Sequence, residues 1–261
     1  VATRNYRDLS RRLPGMIRLV LSEANLEGYA SLQGLAVSVG PGSFTGIRVG
    51  VSYARAVSQA LRLPLIGVPT LQAAATQAPA RIAPLIAALV PSRARQVYWQ
   101  TLRPGSGAPE PLSEPRNEEI EEALCALTQQ HAAGHLCGEG ADLHRELILQ
   151  QLPPTWSLSA PSECVVRADT VAGLGRAALV EGAEGDWRTV LPLYLTASAA
   201  ERKLAAGQIP LVAGAATEPT GHWSSGVVLD CPDTPRGPWP RALRYSITPY
   251  SRIFAGKQGS D

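Results

Sequence analysis

A glycine-rich segment is the strongest candidate for a functional site in this 261-residue chain. It joins a short apolar run to an amphipathic stretch and consists of Gly40, Pro41, Gly42, Ser43, Phe44, Thr45 and Gly46. A glycine turn between a strand and a helix aims backbone N–H groups and the positive end of the helix dipole at one point, which suits an anion. The Lys-Ser/Thr end of a Walker A loop is missing, and the spacing GxGxxxG differs from the dinucleotide fingerprint. A purely structural turn is the alternative interpretation.

A row of small residues follows in the amphipathic stretch. Its members recur every four positions and are Gly46, Gly50, Ala54 and Ser58. Residues four apart lie on one face of a helix, so a second element can approach that face closely. Two interpretations are open: the face packs on its own sheet, or it contacts a partner helix.

Other residue types that could do chemistry give weaker signals. His131 and His135 are four apart and Cys137 follows, which is a possible metal-ligand spacing, but Gly134 falls between them where a helix is expected to end. The sequence has no HExxH motif, no GxSxG elbow and no paired carboxylates that stand out. It therefore predicts no catalytic residue and no metal site.

Composition limits the function classes. Hydrophobic residues make up 45% and charged residues 18%, which excludes a disordered chain, and the net charge of +2 is too small for a dedicated nucleic-acid binder. No apolar run approaches the roughly 18 residues of a membrane span, so no membrane partner is expected. The four cysteines are scattered and form no CxxC pair, which favours a reduced, cytoplasmic setting.

The elements that must position these residues follow from hydrophobic periodicity. Helices are predicted at 8–24, 45–61, 70–77, 117–130, 141–151 and 168–181. Strands are predicted at 34–39, 64–68, 82–90, 95–102 and 134–138, with an extended segment at 189–195. Pro14 is expected to begin the regular part of the first helix, and Thr70 and Asn117 are expected to cap their helices. Alternating strands and helices predict an α/β fold, and the pattern ends at about residue 205.

The segment Ala36–Leu71, with its GPGSFTGIRVG core, resembles the TsaB (YeaZ) family of bacterial subunits for threonylcarbamoyladenosine modification of tRNA. Weaker agreement extends from the helix at Leu9–Ala24 to Leu191–Leu195, so the resemblance covers about residues 5–203. Between them, Gln96–Trp99 resembles the hairpin of the second domain and Gly138–Ala141 resembles a family turn. It implies an actin-like, two-lobed fold of the ASKHA class. The lobes would span 1–80 and 81–205, and the Pro/Gly-rich tail 206–261 has no counterpart in the family.

The family begins with a β-hairpin that carries an Asp-Thr-Ser phosphate motif, and this sequence does not include one. We therefore expect an N-terminally truncated first lobe, whose strand at 34–39 presents an unpaired edge. The family's Asp-Ala-Arg in a second phosphate loop reads Pro91-Ser92-Arg93 here. The sequence therefore predicts no cofactor and argues against nucleotide binding.

The resemblance implies a non-catalytic subunit that forms a heterodimer with TsaD, joins the ATPase TsaE in a larger complex and meets tRNA only indirectly. TsaD transfers threonylcarbamoyl to the adenosine at position 37 of tRNAs that read ANN codons. TsaD-like proteins carry a metal-binding HxxxH where this chain has Val68–Ala75 without a histidine. That difference favours a scaffold over a TsaD-like metal-dependent transferase or a peptidase of the related fold. A fragment that does not fold alone is a third interpretation.

In the family, the helices equivalent to 8–24 and 45–61 pack against the matching pair of TsaD as a four-helix bundle. The resemblance thus favours the partner-helix interpretation of the small-residue row. In the absence of TsaD, a homodimer through the same helices is an alternative. The candidate contacts are Leu9, Leu13, Met16, Gly50, Ala54 and Val57.

Overall fold

The structure is a computed structural model that describes residues 9–79, 83–105 and 107–196. The chain divides into two units, 1–211 and 212–261, and every described residue belongs to the first. The tail predicted at 206–261 lies outside the described residues, as does the side chain of Leu9.

The described residues form two sheets, and we call each sheet with its helices a lobe; the bounds 1–80 and 81–205 stay a prediction. The first lobe contains two parallel strands and three helices in the order that the sequence predicts. They are α1 (Leu9–Glu23), β1 (Leu35–Gly40), α2 (Phe44–Leu61), β2 (Leu65–Pro69) and α3 (Thr70–Gln77). Helix α1 is continuous from Leu9 with Pro14 inside it, so the expected start at Pro14 is wrong. Proline removes one i to i−4 hydrogen bond, but the amphipathic helix continues on both sides of Pro14.

The second lobe is a six-stranded mixed sheet with helices beside it. Its elements are β3 (Ile86–Pro91), β4 (Gln96–Arg103), β5 (Glu110–Pro111), β6 (Arg116–Glu119), α4 (Ile120–Gln130), β7 (Gly134–Cys137), α5 (Glu139–Leu143), α6 (Arg145–Gln151) and β8 (Trp156–Leu158). The strand order is β5-β4-β3-β7-β8, and β6 also pairs with β4. Helix α7 (Ala168–Val180) then returns to pack on β1 and β2. The α/β class is confirmed.

Three local expectations for helices are wrong. Asn117 caps no helix, because it lies in β6 opposite Tyr98 of β4. The expected helix 141–151 is two short helices that meet at His144. Thr70 is the first residue of α3 and follows Pro69 at the cap position. For Asn117, strand pairing with a distant part of the chain overrides the local signal.

The β1–β2 pair is covered on both faces. Val37 and Val39 of β1 lie in an apolar cluster that includes Val51 of α2. Ala36 packs on the opposite face with Val171 of α7. Short parallel strands need this double cover, and it explains why β1 is a nearly continuous apolar run.

Neither outer edge of this two-stranded pair has a further strand beside it among the described residues, so the outer edge of β1 is unpaired. The register is parallel and runs from Leu35 opposite Leu65 to Gly40 opposite Pro69. Because successive residues of a strand direct their N–H and C=O groups to opposite edges, Ala36 and Ser38 turn theirs away from β2. Strand β1 carries no charged residue.

A connecting segment, residues 186–196, joins the two lobes after α7. Its Leu193 N–H donates to the Val39 carbonyl at 2.7 Å, and Val190 packs in the same cluster as Val39. Further along, the hydroxyls of Thr196 and Tyr98 lie 2.8 Å apart, which ties the segment to β4.

Two glycines of α7 offer a matched test of its packing on β1. A Cβ on Gly175 would lie 2.5 Å from the Cβ of Ala36, whereas a Cβ on Gly173 would meet nothing within 4 Å. We expect Gly175→Ala to lower the free energy of unfolding by about 1–3 kcal/mol, because the helix must shift from the strand. Gly173→Ala should raise it by up to about 1 kcal/mol through helix propensity. Urea unfolding measures both, and equal effects would contradict this packing.

Candidate functional site

The glycine turn takes its shape from two glycines with unusual backbone angles. Gly40 has φ +111° and Gly42 has φ +156°, which side chains rarely tolerate. A Cβ on Gly40 would also lie 2.7 Å from the carbonyl oxygen of Leu193. The Gly40–Pro41 peptide bond is cis. The two positive φ angles allow a tight turn, so that α2 begins at Phe44, shortly after β1 ends at Gly40.

Helix α2 starts with a side-chain cap. The hydroxyl of Ser43 accepts a hydrogen bond from the Gly46 N–H at 3.3 Å, which satisfies one of the free donors of the first turn. A Cβ on Gly46 would lie 3.3 Å from that oxygen. Thr45 is exposed beside the cap.

Phe44 forms the centre of an aromatic stack. Its ring lies 4.6 Å from that of Tyr194, and the guanidinium of Arg48 lies 5.5 Å above its centroid. Tyr194 belongs to the connecting segment, so the sequence alone gives no signal for this stack.

A cleft of ≈ 580 Å³ opens between the glycine turn and the end of β3. Its described lining residues include Pro41, Gly42, Ser43, Ser38, Thr70, Pro91, Ser92 and Glu139. The hydroxyls of Ser38 and Thr70 satisfy each other across 2.7 Å. The hydroxyl of Ser92 is buried and has no hydrogen-bond partner among the described residues.

The electrostatics of the cleft are mixed. The amino end of α2 favours an anion, while Glu139 is the one charged side chain among the described lining residues. A polyphosphate there would therefore meet a carboxylate and no arginine or lysine. The geometry thus provides one favourable element and one opposing charge for a nucleotide.

The predicted row of small residues faces inward. A Cβ on Gly50 would meet Val37 of β1 at 3.8 Å, and Ala54 packs in the same cluster as Val37. Ser58 is fully buried and its hydroxyl donates to the Leu63 carbonyl at 2.6 Å. The row therefore packs on its own sheet, so Gly50 and Ala54 do not belong to the exposed face of α2.

The exposed face of α2 carries a different small-residue row, Ser52, Ala56 and Ala60. Helix α1 lies beside α2, where Leu13 and Met16 are half-buried and Leu19 and Val20 are 49% and 47% exposed. We call the exposed residues of α1 and α2 together the helical surface. Val57 of α2, the remaining candidate contact from the sequence, is half-buried. The periodicity of the sequence does not show which side of α2 the sheet covers. It therefore cannot tell the exposed row of α2 from the buried one.

A tyrosine pair holds the chain after α1 against α2. The hydroxyls of Tyr29 and Tyr53 lie 2.6 Å apart and share a hydrogen bond. The pKa of Tyr29 is raised to about 12, mainly by burial and to a smaller extent by this hydrogen bond. Tyr29 therefore stays neutral throughout the physiological range.

The two histidines considered as metal ligands belong to different elements. His131 is the C-cap residue that follows α4, whereas His135 lies in β7 and is 6% exposed. The ring nitrogens of His135 lie 2.8 Å from the hydroxyls of Ser157 and Ser159. Burial also raises the pKa of the Cys137 thiol. No group of three or more potential metal ligands occurs within the described ranges.

We expect the free energy of unfolding to depend on pH because His135 is buried. Burial lowers its pKa below the ordinary 6.5, opposed by the charge of Glu163. The folded state therefore binds fewer protons, and stability falls as pH drops through 6.5 toward the folded pKa. We expect a lower melting temperature at pH 5.5 than at pH 7.5.

The variant His135→Gln serves as the control for that prediction. It should keep a hydrogen bond to one serine and show a smaller loss of melting temperature over the same pH interval. Burial also lowers the pKa of His144, so part of the dependence should persist. An equal loss in both proteins would exclude His135 as its source.

The protein has an actin-like α/β fold. The glycine turn joins its first strand, β1, to the helix that follows, α2. The sequence matches the family model described as TsaD, tRNA N6-adenosine threonylcarbamoyltransferase, over residues 3–204. The chain belongs to this family. None of the described helices has the length and apolar character needed to cross a membrane.

Several curated relatives are TsaB proteins, which confirms the resemblance seen in the sequence. The tRNA threonylcarbamoyladenosine biosynthesis protein TsaB of Bacillus subtilis is 26% identical over 172 residues, which cover 66% of this chain and 73% of that protein. The protein of the same name from Escherichia coli is 33% identical over 94 residues, 36% of this chain and 40% of that protein.

Solved structures confirm the fold. YeaZ from Pseudomonas aeruginosa matches with a TM-score of 0.58 and 24% identity, over 72% of this chain and 85% of that chain. A crystal structure from the same organism, described as an uncharacterized protein with similarity to peptidase YEAZ, gives the same TM-score and identity over 71% and 83%.

Proposed function

We propose that this chain is a non-catalytic subunit in the formation of threonylcarbamoyladenosine at position 37 of tRNAs that read ANN codons. Its partner in this proposal is TsaD, which performs the transfer. The names of the curated relatives support the pathway, and the glycine turn supports the branch of the family. TsaE would join the larger complex, and tRNA would be met indirectly.

The observation that carries the non-catalytic role is the chemistry of Val68–Ala75. This stretch contains no histidine or other metal-ligating side chain. In the fold it is the end of β2 and the start of α3, where Leu71 and Ala75 are buried in an apolar cluster with Ile86 of β3. The apolar side chains at this place fill a core, and its two polar residues, Thr70 and Gln72, offer a hydroxyl and an amide in place of the imidazole ligands of an HxxxH site.

We assign no cofactor to the cleft. Its one described charged lining residue, Glu139, opposes a phosphate, and the segment Pro91–Arg93 has no acid that could hold a metal–nucleotide. In the proposed function, the partner protein therefore binds to the helical surface. The cleft has no ligand in this proposal and results from the fold.

Reconstitution tests the proposed role. TsaD from the same organism, the remaining enzymes of the pathway and an ANN-decoding tRNA are incubated with and without this chain. We expect modification only when TsaD and the chain are both present, and none from the chain without TsaD. Modification by the chain without TsaD would establish a transferase and overturn the non-catalytic role.

A substitution on the helical surface tests the contact itself. Ala56 is exposed on α2, and arginine there would prevent close approach of a partner helix without disturbing the core. We expect Ala56→Arg to abolish the 1:1 complex with TsaD in size-exclusion chromatography with light scattering, at an unchanged melting temperature.

Ala172→Arg is the matched control, because Ala172 is equally exposed but lies on α7, on the opposite face of the sheet. This variant should keep the complex. A complex that survives Ala56→Arg would place the contact elsewhere on the chain.

A further inference from the structure

The helical surface has a charge bias that the whole chain lacks. Residues 9–62 contain six arginines and two glutamates, although the complete chain has a net charge of only +2. Helix α2 has no acidic residue, and the one acid of α1 is Glu23 at its last position. The bias is therefore concentrated on the two helices that the proposed function uses.

Three of the exposed arginines on these helices are positioned to meet a partner. Arg11 and Arg18 are exposed on α1, and Arg48 is exposed on α2. None of the three forms an ion pair with another described residue, whereas six other arginines do. Their charges are consequently not neutralised within the described part of the fold.

Arg48 is also held in place. Its guanidinium lies over the ring of Phe44, which in turn stacks on Tyr194. A cation positioned on an aromatic ring loses less conformational freedom when it meets a partner than an unrestrained side chain does. The stack therefore presents a pre-oriented positive charge at the amino end of α2.

The apolar residues of the surface separate two kinds of partner. Leu19 and Val20 are about half exposed, and Ser52 and Ala56 form a shallow strip on the neighbouring helix. Phosphate backbones are contacted by arginine, lysine and polar groups, and they would leave Leu19 and Val20 in water. A protein surface would cover them, with charged groups at its rim.

We infer that the helical surface binds a protein face whose apolar centre is bordered by aspartate or glutamate carboxylates that meet Arg11, Arg18 and Arg48. The inference rests on the proposed function, because it describes the side of TsaD that this chain contacts. Complementary rim charges accelerate association and make it sensitive to salt.

Association kinetics test this chemistry. The full chain is immobilised, and the association rate of TsaD from the same organism is measured at 50 and 500 mM NaCl. We expect the rate to fall about tenfold or more at the higher salt, since screening shortens the reach of rim charges. At 50 mM NaCl, Arg48→Glu should lower it by about tenfold.

Arg18→Glu on α1 is the second variant and keeps the test independent of the aromatic stack. Arg176→Glu is the control, because Arg176 is exposed on α7 and is not part of the helical surface. It should bind at the wild-type rate. Equal melting temperatures for all four proteins ensure that the comparison reports association.

The outcomes separate the two proposals. A TsaD complex whose rate ignores both salt and the arginine substitutions keeps the proposed function and overturns the acidic partner face. Absence of a complex at either salt concentration overturns both. If Arg48→Glu and Arg18→Glu weaken binding of the chain to purified tRNA while TsaD binding is unchanged, the surface is a nucleic-acid site and the inference is wrong.

Discussion

The whole first lobe depends on the burial of a two-stranded parallel sheet. Two strands alone expose more apolar surface than they hide, so β1 and β2 are stable only with α2 on one face and α7 on the other. Helix α7 can come close enough because Gly175 has no side chain to separate it from Ala36. A helix from the far end of the described sequence therefore completes a sheet formed near its beginning.

This arrangement separates the two surfaces that could carry function. The carboxyl ends of the strands hold the glycine turn and the cleft, while the outer side of α2, beside α1, remains free for contact. Gly50 and Ala54 are needed to seat α2 on β1, so they contribute to the helical surface only by fixing its position. Core packing and the proposed recognition thus use different faces of one helix.

The sequence predicts the strand–turn–helix unit well because its signals are local. The apolar run, the glycines at 40 and 42 and the serine cap all act within a few residues of one another. The remainder depends on distant partners. Asn117 joins a strand because β4 offers it a backbone edge, and Phe44 stacks on a tyrosine 150 positions later in the chain. Periodicity identified α2 as amphipathic, but only the position of the sheet shows which of its rows is outward.

The connecting segment has a mechanical consequence for the cleft. It bonds to Val39 at the end of β1 and to Tyr98 in β4, so it spans the same two lobes whose separation sets the width of the opening. A rotation of the lobes that widened the cleft would strain one of these bonds, and the stack of Phe44 on Tyr194 lies between them. The segment therefore bridges the two walls of the cleft with two hydrogen bonds and one aromatic stack. Any opening of the cleft would first have to break contacts made by residues that lie more than 90 positions from either wall in sequence.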